Sequence, residues 1–130
     1  MSTGEIHCVN VAVVTPGTLA VATAYAYAFK VPSATTGGAI TIVSAWAAQD
    51  AAHASGSAPN FQLVRCGTSG AVEGTIAGSL AVTAAGTPSA FTIAAGTVDP
   101  DHYVAVEYAG TAASAAPLNG HVSINYQMGV

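Results

Sequence analysis

Leu19-Ala20-Val21-Ala22-Thr23-Ala24-Tyr25-Ala26-Tyr27-Ala28-Phe29-Lys30-Val31 alternates large and small side chains almost without interruption. Successive side chains on a β-strand point to opposite faces. The run therefore places Leu19, Val21, Thr23, Tyr25, Tyr27, Phe29 and Val31 on one face and alanines on the other. Alanine's helix propensity is worth under about 1 kcal/mol per residue, and the two-residue period with β-branched and aromatic residues outweighs it. The large face is expected to build a core with Ile40, Ile42, Trp46 and Phe61. The small face, Ala20, Ala22, Ala24, Ala26 and Ala28, is the candidate interface face. An apolar strip of that length invites association, so a second sheet or a neighbouring subunit is expected to cover it.

Short apolar runs separated by turn residues continue in both directions. Ile6 to Val14 reads as a first strand with Val9, Val11 and Val13 on one face, and Thr15-Pro16-Gly17-Thr18 turns it into the alternating strand, which Pro32 ends. Further strands are expected over Ala39 to Ala48, Asn60 to Cys66, Ala71 to Ala77, Ala90 to Ala94, Tyr103 to Ala109 and Gly120 to Met128, with another near Leu80 to Thr83. Gln49 to Pro59 reads as a surface loop with a short helical turn over Asp50 to Ala54, and Gly67-Thr68-Ser69-Gly70 as a hairpin connection. The fold class is all-β: a single-domain antiparallel β-sandwich, jelly-roll-like, of about eight strands. The domain spans residues 1–130, with residues 1–10 read as an N-terminal arm available to partners.

Composition narrows the function classes. Charged residues are 6% of the chain, against roughly 25% in ordinary soluble domains. A hydrophobic fraction of 52% excludes disorder. Lys30 and Arg65 are the only strong cations and the net charge is −4, which argues against nucleic-acid binding and against a basic helix on anionic lipid. No Asp, Glu, Lys or Arg occurs from Val9 to Phe29, but Asn10 and the Thr15–Thr18 cluster break that run, so a strand, a turn and a strand are expected in place of a membrane span. Met1-Ser2-Thr3-Gly4-Glu5 lacks the positive region of a signal peptide. Synthesis in a reducing compartment and two free thiols, Cys8 and Cys66, are therefore expected.

The chemistry-bearing residues are few. Asp99-Pro100-Asp101-His102 would give two carboxylates and an imidazole to a metal, but a calcium cage needs six to eight oxygens; the segment reads as a turn into the strand at Tyr103. His7 and Cys8 are neighbours on a strand and face opposite ways, which disfavours a shared zinc. A thiol–imidazole pair of Cys8 with His53 or His121 has no local motif behind it. No catalytic residue, cofactor or metal site is expected, and the chain is not read as an enzyme. Tyr25, Tyr27, Trp46, Tyr103, Tyr108 and Tyr126 belong in the core, or would form a sugar-binding platform where exposed.

Phe29-Lys30-Val31-Pro32, Gly38-Ala39-Ile40-Thr41-Ile42 and Phe61-Gln62-Leu63-Val64 together resemble segments of small β-sandwich structural proteins of tailed bacteriophages. The resemblance continues through Asp99-Pro100-Asp101-His102-Tyr103-Val104-Ala105-Val106 and Val122-Ser123-Ile124-Asn125-Tyr126. Proteins of that kind decorate the capsid shell or form part of head fibres, commonly as trimers. The resemblance implies a virion protein made in the host cytoplasm, partnered by the major capsid protein and by itself as a homotrimer, with no nucleic acid and no membrane. Low charge agrees, since interface cores are depleted in charged residues. Two rival readings are a fibre or receptor/carbohydrate-binding module, with exposed aromatics, and a secreted pilus or surface-layer sandwich, with a Cys8–Cys66 disulfide.

Overall fold

The computed structural model describes residues 5–14, 23–35, 37–50, 59–82, 87–110 and 119–128. They form nine strands: β1 (Ile6–Val14), β2 (Ala24–Lys30), β3 (Ile40–Gln49), β4 (Pro59–Cys66), β5 (Val72–Ala81), β6 (Ser89–Ala90), β7 (Thr97–Val98), β8 (Tyr103–Gly110) and β9 (Asn119–Met128). One antiparallel sheet runs β1-β9-β3-β6, with β7 also paired to β3, and the other runs β2-β8-β4-β5. Partners nest along the chain: β1 with β9, β2 with β8, β3 with β6 and β7, β4 with β5. This is a long hairpin rolled into two four-position sheets, with β6 and β7 sharing one position, which is the jelly-roll arrangement.

Both sheets contribute to one core. Val11 and Val13 of β1, Ile40, Ile42, Ala45 and Ala47 of β3, Phe61 and Leu63 of β4, Ile76 of β5, Val104 and Val106 of β8, and Val122 and Ile124 of β9 pack there. On the β5 flank the sandwich is closed by backbone: Ala77 bridges to Ile93, and Ala94 N–H donates to the Ile76 carbonyl at 2.9 Å. Close approach elsewhere requires glycine. A Cβ at Gly120 would stand 2.5 Å from the Ala48 carbonyl oxygen.

The alternating strand has the expected period, but its faces are exchanged. Ala26 and Ala28 pack against the core, whereas Tyr25 and Tyr27 are 42% and 54% exposed. Two physical causes account for this. Along the flank where β1 and β2 adjoin, their Cα atoms come within 8 Å, closer than the ~10 Å spacing of packed sheets, which leaves room for alanine and not for tyrosine. A β-bulge between Tyr27 and Phe29 then resets the alternation. Phe29 turns inward and stacks on Tyr126 with ring centroids 5.0 Å apart. Ala20 and Ala22 lie outside the described residues.

A second bulge, between Ile42 and Ser44, corrects the expectation for β3. Ile40 and Ile42 are buried as expected, but beyond the bulge Ala45 and Ala47 face the core and Trp46 turns outward. Leu80 and Ala81 belong to a longer β5 and not to a separate strand, and Ala90 to Ala94 contains only the end of β6 and the single bridge at Ile93. Ile6 to Asn10 pair with β9 as part of β1. The expected turn at Thr15–Thr18 and most of the loop and helical turn after Asp50 lie outside the described residues.

Candidate functional site

The two outer faces of the sandwich differ in charge. The strands β1, β3, β6, β7 and β9 contain no Asp, Glu, Lys or Arg at all, whereas the opposite sheet carries Lys30, Arg65, Glu73 and Glu107. Across the uncharged face, rows run in register from β1 through β9 to β3: Cys8, Asn125 and Ser44; then Asn10, Ser123 and Trp46. Asn125 Nδ2 donates to Ser44 Oγ at 2.9 Å, and Ser123 Oγ donates to Asn10 Oδ1. Trp46 stands edge-on to His121, centroids 5.6 Å apart. Ile6 and Val14 on β1 and the bulge residue Val43 on β3 are exposed apolar side chains. The face is therefore neutral and knit by short polar side chains, with apolar groups around them, as in the core of a protein interface.

The opposite outer face is aromatic and charged. Tyr27 lies in register with Ala105 and Val64, and its hydroxyl donates to the Gly70 carbonyl at 2.9 Å, so the ring spans from β2 to the β4–β5 hairpin. Gly70 holds φ at 90°, a value that favours glycine, and its N–H closes the turn onto the Gly67 carbonyl. Beside Tyr27, Val64, Cys66 and Ala105 form a small second cluster against Tyr103, separate from the main core. Burial pushes the Cys66 thiol above its ordinary pKa, and Glu73 adds to the effect. One row further on, Tyr25, Glu107 and Gln62 stand side by side across three strands.

At one end of this face the Asp99–His102 segment is a turn, as expected, with His102 N–H donating to the Asp99 carbonyl at 3.3 Å. Asp101 takes a left-handed φ of 65°, which Asp tolerates better than most residues. Its carboxylate is 3.9 Å from Lys30 Nζ, which also stands 5.8 Å above the Tyr103 ring. His102 reaches Glu73 at 3.1 Å.

The other chemistry-bearing residues are kept apart. Cys8 is exposed on the uncharged sheet and Cys66 is buried on the other, both as free thiols, so the disulfide of the secreted-protein reading is not formed. His7 is half-buried and stacks on Tyr126 at 5.4 Å, away from the exposed Cys8. Among the described residues no three His, Cys, Asp or Glu side chains are grouped to hold a metal ion, and no helix is long and apolar enough to cross a membrane. His53 lies outside the described residues. Sequence reasoning missed the uncharged face because its strands are scattered along the chain; tallying charge strand by strand once the pairing order is known reveals it.

Neither a protein-family model nor a curated protein matches the sequence. A solved structure does match in shape. It is a chain of the cyanophage Pam1 capsid asymmetric unit, superposing with a TM-score of 0.66 at 16% sequence identity over 99% of this chain and 89% of that one. The likeness is one of fold. It runs end to end, so the two chains are close in length and share the whole sandwich and not a fragment of it.

Proposed function

We propose that this chain is a structural protein of a bacteriophage virion, and that it decorates the outer surface of the head as a homotrimer seated on the major capsid protein. The observation that carries the reading is the end-to-end fold match to a similarly sized chain of a cyanophage capsid. The charge distribution supports it independently, because a sheet without a formal charge can be desolvated against a partner at little electrostatic cost. In this reading the docking face is the outer face of β1, β9 and β3. In this reading Ala26 and Ala28 of the alanine face serve the sandwich interior, where they pack against the core.

Function here is adhesion, with no chemical step and no cofactor. Stable interfaces bury about 1,200–2,000 Å² in total, and decoration of this kind adds stability by bridging coat subunits. The test is to mix purified protein with particles that lack it, sediment them, and challenge them with heat. Saturable co-sedimentation with raised heat resistance is expected. A chain that stays in the supernatant as a monomer overturns the proposal. A tyrosine-bearing charged face left outward by this docking also keeps the fibre or receptor-binding reading in view, because Tyr25 and Tyr27 are exposed.

A further inference from the structure

The outer face of the charged sheet carries a shallow depression of about 180 Å³ lined by Asn60, Gln62, Ser79, Glu107, Ala109 and the neighbouring Tyr108. Three features set it apart from an ordinary sheet surface. Gln62 is held in place from both sides: its Nε2 donates to Thr75 Oγ1 at 3.0 Å, and its Oε1 accepts from Ser79 Oγ at 3.5 Å. Glu107 is half-buried beside it, in register with Gln62 on one side and Tyr25 on the other, and among the described residues no cation lies within ion-pairing distance of its carboxylate. Tyr25, in register with Glu107 on β2, is an exposed aromatic side chain beside the depression and outside its lining, and unlike Tyr27 its hydroxyl is not committed to Gly70.

We propose that this depression is a binding site for a neutral pyranose, as presented by a surface polysaccharide. A sugar ring offers an apolar C–H face and an opposite set of hydroxyl donors and acceptors. The Tyr25 ring suits the first. A carboxylate at Glu107 and carboxamides at Gln62 and Asn60 suit the second, since a carboxylate accepts two hydroxyl protons in strong, charge-assisted bonds and the carboxamides both donate and accept. Because Gln62 is already fixed by Thr75 and Ser79, little side-chain freedom is lost on binding. The uncompensated carboxylate, on a chain with net charge −4, disfavours acidic sugars. The site lies on the sheet opposite the uncharged docking face, so both surfaces are usable at once, and it stands whether or not the chain sits on a capsid.

The test is a titration of the full chain, uniformly labelled with ¹⁵N, using the methyl glycosides of glucose, galactose, mannose and N-acetylglucosamine, with N-acetylneuraminic acid as the acidic probe. At least one neutral glycoside is expected to shift the backbone amides of Gln62, Ser79 and Glu107 with a Kd in the millimolar range, and the acidic sugar to shift none of them. Glu107→Gln keeps the shape and should weaken binding about tenfold or more, Tyr25→Ala should weaken it likewise, and Tyr27→Phe should leave it unchanged. Spectra of the free variants verify that each is folded. Absence of shifts with every neutral glycoside overturns the proposal, as does binding that survives Glu107→Gln and Tyr25→Ala.

Discussion

His102 Nε2 stands 3.1 Å from Glu73 Oε1 while Nδ1 of the same ring stands 2.9 Å from the Pro100 carbonyl oxygen. Both ring nitrogens face acceptors. Only the imidazolium can donate from both, so the geometry favours the protonated ring and ties the turn before β8 to the start of β5. The hydrogen bond to the Pro100 carbonyl is the largest influence raising the His102 pKa; Glu73 and Asp99 add to it, and partial burial opposes it.

A pH dependence follows from that pair. Because the folded-state pKa is raised, the stabilisation is complete below about pH 6.5, the unfolded value, and is lost as pH rises through the higher folded value. Melting curves across that range should show Tm falling more steeply in the native protein than in Glu73→Gln. An NMR titration of the His102 ring should give a midpoint above the ordinary histidine value that drops in the variant. A midpoint at or below the ordinary value contradicts the pairing.

The exchanged faces of β2 give a second expectation. Ala26→Glu directs a carboxylate into the sandwich without a partner and should cost about 2 kcal/mol or more, whereas Tyr25→Ser, one residue away on the outer face, should leave the chemical-denaturation midpoint nearly unchanged. Equal tolerance of both would mean that the alanines face solvent.

Tyr27→Phe removes one hydroxyl and the hydrogen bond to Gly70. A loss of about 1 kcal/mol is expected in urea unfolding, with faster amide exchange confined to the Gly67–Gly70 turn. Phe61→Ala, fully buried in the main core, should cost about 3–5 kcal/mol. The ratio of the two separates outer-face cover from core packing.

The thiols should behave oppositely. Cys8 is exposed, and Cys66 is buried with its pKa raised by burial. Thiol reagents should label Cys8 quickly in the native protein and Cys66 only on unfolding. Rapid native labelling of Cys66 would contradict its burial with Val64 and Ala105 against Tyr103.

Much of the fold was legible in the sequence because period-two patterns and turn residues are local. The hairpin at Gly67–Gly70, the turn at Asp99–His102 and the strands ending in Cys66, Gly110 and Met128 lie where the pattern puts them, within a residue or two. Which face of a strand is inward is not local. For β2 it depends on how closely β1 approaches, and for Phe29 and Trp46 on single-residue bulges that invert the alternation. The candidate docking face was illegible for a related reason: its neutrality is shared among β1, β3 and β9, which become neighbours only through the jelly-roll pairing.

The proposed head-decoration role is tested most directly by quantitative mass spectrometry of virus particles purified from the cultures that produce this chain. Head decoration predicts a copy number in fixed, integral proportion to the major capsid protein, retained through density-gradient purification. Absence of the chain from purified particles, or only a trace amount unrelated to coat copy number, contradicts it.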